Sequence, residues 1–337
     1  MKPTAGKLIR WIVSAGMIVL LVVFARRVNW HQTWESILAA DRWPLALAAV
    51  ANLASLALKG VRWWIFLRPL GVTSLGLALR ATVAGAGLNN VLVANGGEAA
   101  RIVFVARATH VPSAKVLAAL TMERLFEFIG YFVILVVAAY LPDVPHSIAR
   151  WRFVALIGLA LLVGLMIYLL RASEGARMST RVKLPAAASW MHRVREWFGH
   201  FFTSMAGVAT LPRLLGAFSL TMISWALQVT CYHLVARAAH LPLPLVGSVC
   251  ALLAANIGFL MRVTPGSVGV FQFIYALTAV GFGVEEDAAV AVAVLLQTLQ
   301  VLPVTLLGVA LAPEFVFKRR RSPREGEPDI EKLPPVA

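Results

Sequence analysis

The sequence predicts an all-α, polytopic transmembrane helix bundle, and three observations support this fold class. Of the 337 residues, 60% are hydrophobic and only 14% are charged, which is too few charges to cover the surface of a soluble domain. The apolar residues fall in blocks of about 18 to 25, the length that crosses a bilayer core as a helix. These blocks are rich in Ala, Leu, Val and Gly without strict alternation, a pattern that favours helices over membrane β-strands.

The apolar blocks comprise full spans and interrupted segments. Two blocks, 75–108 and 243–282, are broken by polar and glycine residues. The first block follows a basic start but ends in Ala25-Arg26-Arg27 without a cleavage site, so we interpret it as a retained first span. The six blocks that we expect to be full spans are 8–25, 44–65, 117–141, 153–170, 213–236 and 288–312.

We expect the spans to lie in the inner cell membrane, and the charge of the loops predicts their orientation there. The stretch 171–212 carries six basic residues against two acidic ones, so we expect it and both termini to be cytoplasmic. The loops 142–150 and 285–287 are expected outside, and Arg26 and Arg27 fit this scheme less well. The net charge is +15, but the basic residues lie between apolar blocks. We therefore expect membrane lipids with anionic headgroups as partners and no nucleic acid.

The chain is predicted to contain one transmembrane domain, residues 1–312, and a disordered basic and polar cytoplasmic tail, residues 313–337. In the cytoplasmic loop 172–212, apolar and aromatic residues recur at helical spacing between 186 and 208. This pattern predicts an amphipathic helix on the inner leaflet, with a helix packed on a soluble partner as the alternative. Segment 30–43 is expected at the outer interface.

The two interrupted segments are predicted to form an inverted repeat. With both termini inside, segment 75–108 starts and ends at the inner face, whereas segment 243–282 starts and ends at the outer face. Each has a polar, glycine-bearing break and is followed by an apolar span, as in inverted-repeat transporters, whose sites lie at the broken helices. Each is either a re-entrant hairpin or two full spans. Aligning the two units places Gln297 at the position of Glu123.

The first break concentrates polar residues between apolar flanks. Asn89, Asn90, Gly97, Glu98 and Arg101 lie here, and polar groups at membrane depth are costly unless they face protein or water. Glu98 and Arg101 are three residues apart, so on a helix they share a face and can pair. Arginine suits an anionic headgroup because it binds phosphate with two donors. The alternative is a cytoplasmic turn with ordinary positive-inside residues.

The span after the first break opens with Glu123, Arg124 and Glu127. Two of these are acidic residues four positions apart, so on a helix they share a face. Capping of the helix start accounts for one acidic residue. Glu127 is surrounded by apolar residues, so the functional interpretation is a polar lining inside the bundle.

The second break runs from Arg262 to Gly269. Pro265 ends one helix, and Gly266 and Gly269 permit close approach of the backbone. Backbone N–H groups at the start of the next helix suit a phosphate, and Arg262 adds a positive charge at membrane depth. The alternative is a tight turn between two spans.

The sequence contains no catalytic signature that we recognise. It has no P-loop, GxSxG, HExxH or dinucleotide motif, and its histidines form no ligand pair at helical spacing. His233 lies inside a span, where it is either a proton site or a packed core residue. We therefore expect no cofactor, no metal and no catalytic residue, and the protein is not expected to be an enzyme.

The run from Asn89 to Arg124, followed by residues 264–269, resembles the flippase-like family named for the transmembrane region of lysylphosphatidylglycerol synthase. The resemblance covers residues 8–312, and bacterial members include stand-alone proteins, some linked to hopanoid biosynthesis. It implies three sequence elements. The first is Gly-Glu/Asp-x-x-Arg, which corresponds to Gly97, Glu98 and Arg101. The second is Glu-Arg-x-x-Asp, which corresponds to Glu123, Arg124 and Glu127, and the third is Pro-Gly-x-x-Gly, which corresponds to Pro265, Gly266 and Gly269.

The chain departs from the family pattern at several positions. Ala94 and Asn95 stand where a proline is usual, Glu127 stands for the aspartate, and Gln297 replaces an arginine common in the last span. The chain has no room for the aminoacyl-transferase domain of the full synthase, so the resemblance does not imply lipid lysylation.

The leading hypothesis is a lipid flippase that moves an anionic or isoprenoid-linked lipid between leaflets of the inner membrane. One alternative is a membrane enzyme acting on a lipid-linked substrate, with Glu98 or Glu123 as acid or base. The other alternative is a scaffold for lipid-synthesis enzymes, and such enzymes are candidate partners of the protein under all three hypotheses. The candidate headgroup path comprises Asn89, Asn90, Gly97, Glu98, Arg101, Glu123, Arg124, Glu127, Arg262, Pro265, Gly266 and Gly269.

Overall fold

The computed structural model describes residues 26, 29–91, 96–141, 152–179, 210–261 and 267–317. Within these ranges all the regular structure is helical, which confirms the predicted all-α class. A short 3-10 turn, Arg68–Leu70, extends the second helix. The α-helices are α1 (Trp30–Leu38), α2 (Arg42–Leu67), α3 (Leu75–Val91), α4 (Gly96–Thr109), α5 (Ser113–Tyr140), α6 (Arg152–Ser179), α7 (Leu211–Ala238), α8 (Leu245–Met261), α9 (Val270–Val280) and α10 (Glu286–Phe317).

Three of the described helices are long and apolar enough to cross a membrane. They are α2 with its extension (Arg42–Leu70), α7 (Leu211–Ala238) and the part of α10 over Glu286–Leu311. Each coincides with a predicted full span. Helices α5 and α6 coincide with two more and are 28 residues long, although α5 carries four charged residues in its first 15 positions. The total of six full spans stays a prediction, because the first of them lies outside the described residues.

The outer-interface prediction coincides with α1, on which Trp30 and Trp34 are 54% and 59% exposed. Helix α10 continues to Phe317, five residues beyond the predicted end of its span. Other predicted features lie outside the described residues, namely the first span (8–25), the loop 142–150, the amphipathic segment 186–208 and the tail from residue 318.

Helices α2 and α7 pack closely side by side. The hydroxyl oxygens of Ser55 and Ser224, both buried, lie 2.9 Å apart across the contact. Small hydroxyl residues allow transmembrane helices to approach closely and to bond to each other. This contact fixes the rotation of α2, and it thereby determines where the side chains one and two turns further along α2, Lys59 and Arg62, are placed.

The first interrupted segment folds as a hairpin of α3 and α4. The helices are antiparallel, since Gly97 at the start of α4 lies against Gly85 near the end of α3. Asn89 Oδ1 accepts a hydrogen bond from Gly97 N at 2.9 Å, which caps α4 across the break. The helices have 17 and 14 residues, or about 25 and 21 Å at 1.5 Å per residue, which is at or below the length of a full span.

The second interrupted segment also contains two short helices. Helix α8 has 17 residues and α9 has 11, so α9 is only about 16 Å long and is too short to cross a bilayer core alone. A long helix follows each pair, namely α5 after α3 and α4, and α10 after α8 and α9. The order of two short helices and one long helix therefore occurs twice in the described chain, while the inverted repeat itself stays a prediction.

The hairpin of α3 and α4 rests against α10 through a contact between two glycines. A Cβ atom on Gly87 would lie 2.7 Å from the Cα atom of Gly308 and 2.8 Å from the carbonyl oxygen of Val304. One helical turn from this contact, Asn90 Nδ2 donates to Thr305 Oγ1 at 3.0 Å. The first interrupted segment is therefore held by α10 on one side, with backbone in direct contact with backbone.

Substituting Gly308 by alanine is expected to lower the melting temperature in detergent. The new Cβ would lie 2.6 Å from Gly87 Cα and 2.7 Å from the carbonyl oxygen of Val83, and neither backbone atom can move aside. Gly164→Ala is the control, because nothing lies within 4 Å of its new Cβ and alanine favours a helix by about 0.5–1 kcal/mol. An equal melting temperature for the two variants would contradict the tight contact.

Candidate functional site

Arg101 and Glu123 form a buried ion pair that joins α4 to α5. The guanidinium Nη2 of Arg101 donates to Glu123 Oε2, and the two residues are only 5% and 3% exposed. Glu98, one turn before Arg101 on α4, contacts Arg124 on α5 instead. Glu98 and Arg101, which the sequence places on one face, therefore each pair across to α5 rather than with each other.

The side chain of Arg101 is enclosed by apolar and backbone groups. Its guanidinium carbon lies 4.1 Å from the ring centre of the fully buried Trp63 on α2, which adds a cation–π contact. A Cβ atom on Gly85 would lie 3.0 Å from Arg101 Cβ, so only glycine leaves room for this side chain beside α3. The Nε atom of Arg101 is buried without a hydrogen-bond partner among the described residues. A charge in such surroundings is costly unless it is paired.

Two cations on α2 complete the charged cluster, and sequence reasoning missed both. The Nη2 atom of Arg62 lies 2.5 Å from Glu127 Oε2 and 3.6 Å from Glu123 Oε1, and the Nζ atom of Lys59 lies 2.9 Å from Glu127 Oε1. The other terminal nitrogen of Arg62 donates to Thr221 Oγ1 at 2.8 Å. A signal was present, since Lys59 and Arg62 are charged residues three apart inside a predicted span.

The structure thus brings seven charged side chains together in two groups, which share no ion pair among the described residues and are together called the ionic network. The inner cluster comprises Lys59, Arg62, Arg101, Glu123 and Glu127, linked in a chain of ion pairs. The outer pair comprises Glu98 and Arg124, whose side chains are 23% and 41% exposed.

The inner cluster carries an excess positive charge in a largely buried position. Three cations face two carboxylates, a net charge of +1, whereas the outer pair is neutral. Arg62, Arg101 and Glu123 are each at most 5% exposed, so most of the cluster lies between packed helices. An anion that reached this cluster would neutralise it, because the low dielectric strengthens the attraction between opposite charges.

The polar residues at the tip of the first break shape the hairpin and do not join the network. Asn89 caps α4 through Gly97, and Asn90 bonds α10. Gly97 is required by space, because a Cβ atom there would lie 2.7 Å from the backbone nitrogen of Asn89 and would also overlap Gly85. Of the predicted path residues, the structure therefore brings together Glu98, Arg101, Glu123, Arg124 and Glu127, and it assigns a structural role to Asn89, Asn90 and Gly97.

The second break is linked to the following long helix by amides instead of charges. Gly269 has a positive φ of 85°, and its N–H donates to Gln272 Oε1 at 2.7 Å. The amide of Gln272 in turn donates to Gln297 Oε1 on α10, and both glutamines are less than a tenth exposed. Gln297 was singled out in the sequence and Gln272 was not. The predicted site residues Arg262, Pro265 and Gly266 lie outside the described residues.

Comparison with known proteins identifies a family for this chain. Residues 8–308 match the family model described as the lysylphosphatidylglycerol synthase TM region. The match covers both interrupted segments and all seven residues of the ionic network. No curated protein matches the chain.

Replacing Glu123 by glutamine is expected to lower the free energy of unfolding by about 3–5 kcal/mol, because Arg101 then stays buried without its carboxylate. The measurement is denaturant unfolding in detergent micelles. Glu35→Gln is the matched control, since Glu35 pairs with His31 at an exposed position and should change the stability by less than about 0.5 kcal/mol.

A second variant tests whether the loss of stability in Glu123→Gln comes from the broken ion pair or from a change in packing volume. Replacing Arg101 and Glu123 together by methionine removes both charges and keeps apolar volume, so it should destabilise less than Glu123→Gln alone. A double variant at least as unstable as the single one would contradict the assignment of the loss to an unpaired charge.

Proposed function

Because the chain belongs to the lysylphosphatidylglycerol synthase transmembrane-region family, we propose that it is a lipid translocase that moves an anionic or isoprenoid-linked lipid between leaflets of the inner membrane. The family is a membrane family linked to lipid handling, and the predicted family is confirmed. The observation that supports the finer proposal is the inner cluster, in which three cations meet only two carboxylates between packed helices.

An anionic headgroup supplies the charge that the inner cluster lacks. Phosphate oxygens accept hydrogen bonds from guanidinium groups with two parallel donors, and the partly exposed guanidinium of Arg124 on α5 is the one that an incoming headgroup meets first. The headgroup follows the charged faces of α4 and α5 while the acyl or isoprenoid tail stays in the lipid. A neutral lipid gains nothing from the excess charge, so the cluster also selects for anionic lipids.

The two interrupted segments divide the path into a charged half and a neutral half. In this proposal α3 to α5 and α8 to α10 are the two units of an inverted repeat, with sites at their broken helices. In the first unit, the ion pair of Arg101 and Glu123 links the short helix α4 to the long helix α5. In the second unit, the hydrogen bond from Gln272 to Gln297 links the short helix α9 to the long helix α10. With both termini cytoplasmic, the headgroup binds in the first unit and passes the neutral second unit on the way to the outer leaflet. The sequence has no ATPase motif, so the driving force is a gradient, mass action or a partner.

The test is a leaflet-resolved lipid assay in proteoliposomes. Wild-type protein is expected to speed transbilayer movement of labelled phosphatidylglycerol over protein-free liposomes, and more than that of phosphatidylcholine. Arg101→Ala leaves the inner cluster with two cations and two carboxylates, and the loss of the excess charge should slow this movement about 10- to 100-fold. Arg107→Ala is the matched control, because Arg107 lies exposed in the last turn of the same helix.

Three outcomes would contradict the translocase. Wild-type rates equal to those of protein-free liposomes would exclude transport by the chain alone. Chemical conversion of a lipid-linked substrate by the purified protein, lost in Glu98→Gln, would favour the membrane enzyme. Co-purification with lipid-synthesis enzymes, together with cellular function that tolerates Arg101→Ala, would favour the scaffold.

A further inference from the structure

Resting on the proposed function, we infer that Glu98 is an internal competitor for the lipid headgroup. Its carboxylate pairs with the Arg124 guanidinium, to which the lipid phosphodiester also binds. When the lipid binds, the phosphodiester displaces the carboxylate. Arg124 is therefore the exchangeable headgroup ligand of the network, while the inner cluster supplies the field that attracts the anion.

Exposure separates the outer pair from the inner cluster. The side chains of Arg124 and Glu98 are 41% and 23% exposed, whereas those of Arg101 and Glu123 are 6% and 4% exposed. Trp63 and the backbone at Gly85 enclose Arg101, so that ion pair cannot open without moving a helix. The outer pair can open by side-chain rotation alone, and partly exposed ion pairs contribute little to stability.

Arg124 has donor capacity that Glu98 does not use. One terminal guanidinium nitrogen of Arg124 contacts one carboxylate oxygen of Glu98, which leaves the other terminal nitrogen unused by Glu98. A guanidinium has five N–H donors in a fixed fork that matches two phosphate oxygens. A phosphodiester can therefore make two bonds to Arg124 where Glu98 makes one, and it also interacts with the +1 charge of the inner cluster.

The displaced carboxylate has a favourable position of its own. Glu98 is the third residue of α4, within the first turn, where the N-terminal end of the helix dipole stabilises negative charge. The helix dipole therefore offsets part of the attraction that Glu98 loses when it leaves Arg124. Binding and release of the headgroup become an exchange between two anions on one arginine, and the exchange limits how tightly the lipid is held.

The test is native mass spectrometry of the full-length protein in phosphatidylcholine nanodiscs that contain increasing phosphatidylglycerol. Glu98→Gln should tighten phosphatidylglycerol binding about two- to fivefold, since it removes a competitor worth one partly exposed ion pair. Arg124→Gln should weaken binding, and Glu98→Gln should have no further effect in the Arg124→Gln background. Arg107→Gln, which removes an exposed positive charge from α4, is the control for the charge lost in Arg124→Gln, and melting temperatures confirm that all variants fold.

Unchanged or weaker binding in Glu98→Gln would overturn the inference, as would a tightening that persists without Arg124. Inorganic phosphate that displaces phosphatidylglycerol at equal concentration would overturn the lipid assignment in favour of a soluble anion. A different result would contradict the proposed function and leave this inference intact. If Glu98→Gln tightens binding while the wild-type protein moves no lipid in proteoliposomes, the competitor role stands and the translocase does not.

Discussion

The buried ion pair between Arg101 and Glu123 is the interaction on which the rest of the site depends. Neither charge is tolerated at membrane depth alone, so each requires the other, and together they hold the hairpin of α3 and α4 against α5. Trp63 closes one side of Arg101 and the backbone at Gly85 closes another. On its other side the hairpin meets α10 through Gly87 and Gly308. A polar break in the chain is thus fixed between a charged contact and a close backbone contact.

The charge excess follows from what α2 adds to this pair. Arg62 shares both carboxylates of α5, and Lys59 adds a third cation where two carboxylates are available. Apolar residues of similar volume often stabilise a fold as much as a buried ion-pair network does. A network that keeps an unbalanced charge is therefore better explained by an anion that it binds than by the fold. The amide link of Gln272 and Gln297 shows that a similar helix junction forms without charge.

The sequence predicted the helical class, the approximate positions of the described spans and five residues of the ionic network. It did so because hydropathy and the cost of charge in a bilayer are local properties. It did not predict the partners. Glu98 and Arg101 lie on one helical face, but pairing across to α5 depends on how the hairpin packs, which spacing along one helix does not determine. Lys59 and Arg62 were missed because they lie in a predicted span without a polar break, and Gln272 because an amide near a helix start is common.

The most direct test of this account is a structure determined by electron cryomicroscopy in nanodiscs that contain phosphatidylglycerol. The account predicts a lipid phosphate within about 4 Å of the Arg124 guanidinium, in ion-pair range, with Glu98 turned toward the start of α4 and the Arg101–Glu123 pair intact. Lipid phosphates confined to the perimeter of the helix bundle, with Glu98 still on Arg124, would contradict it.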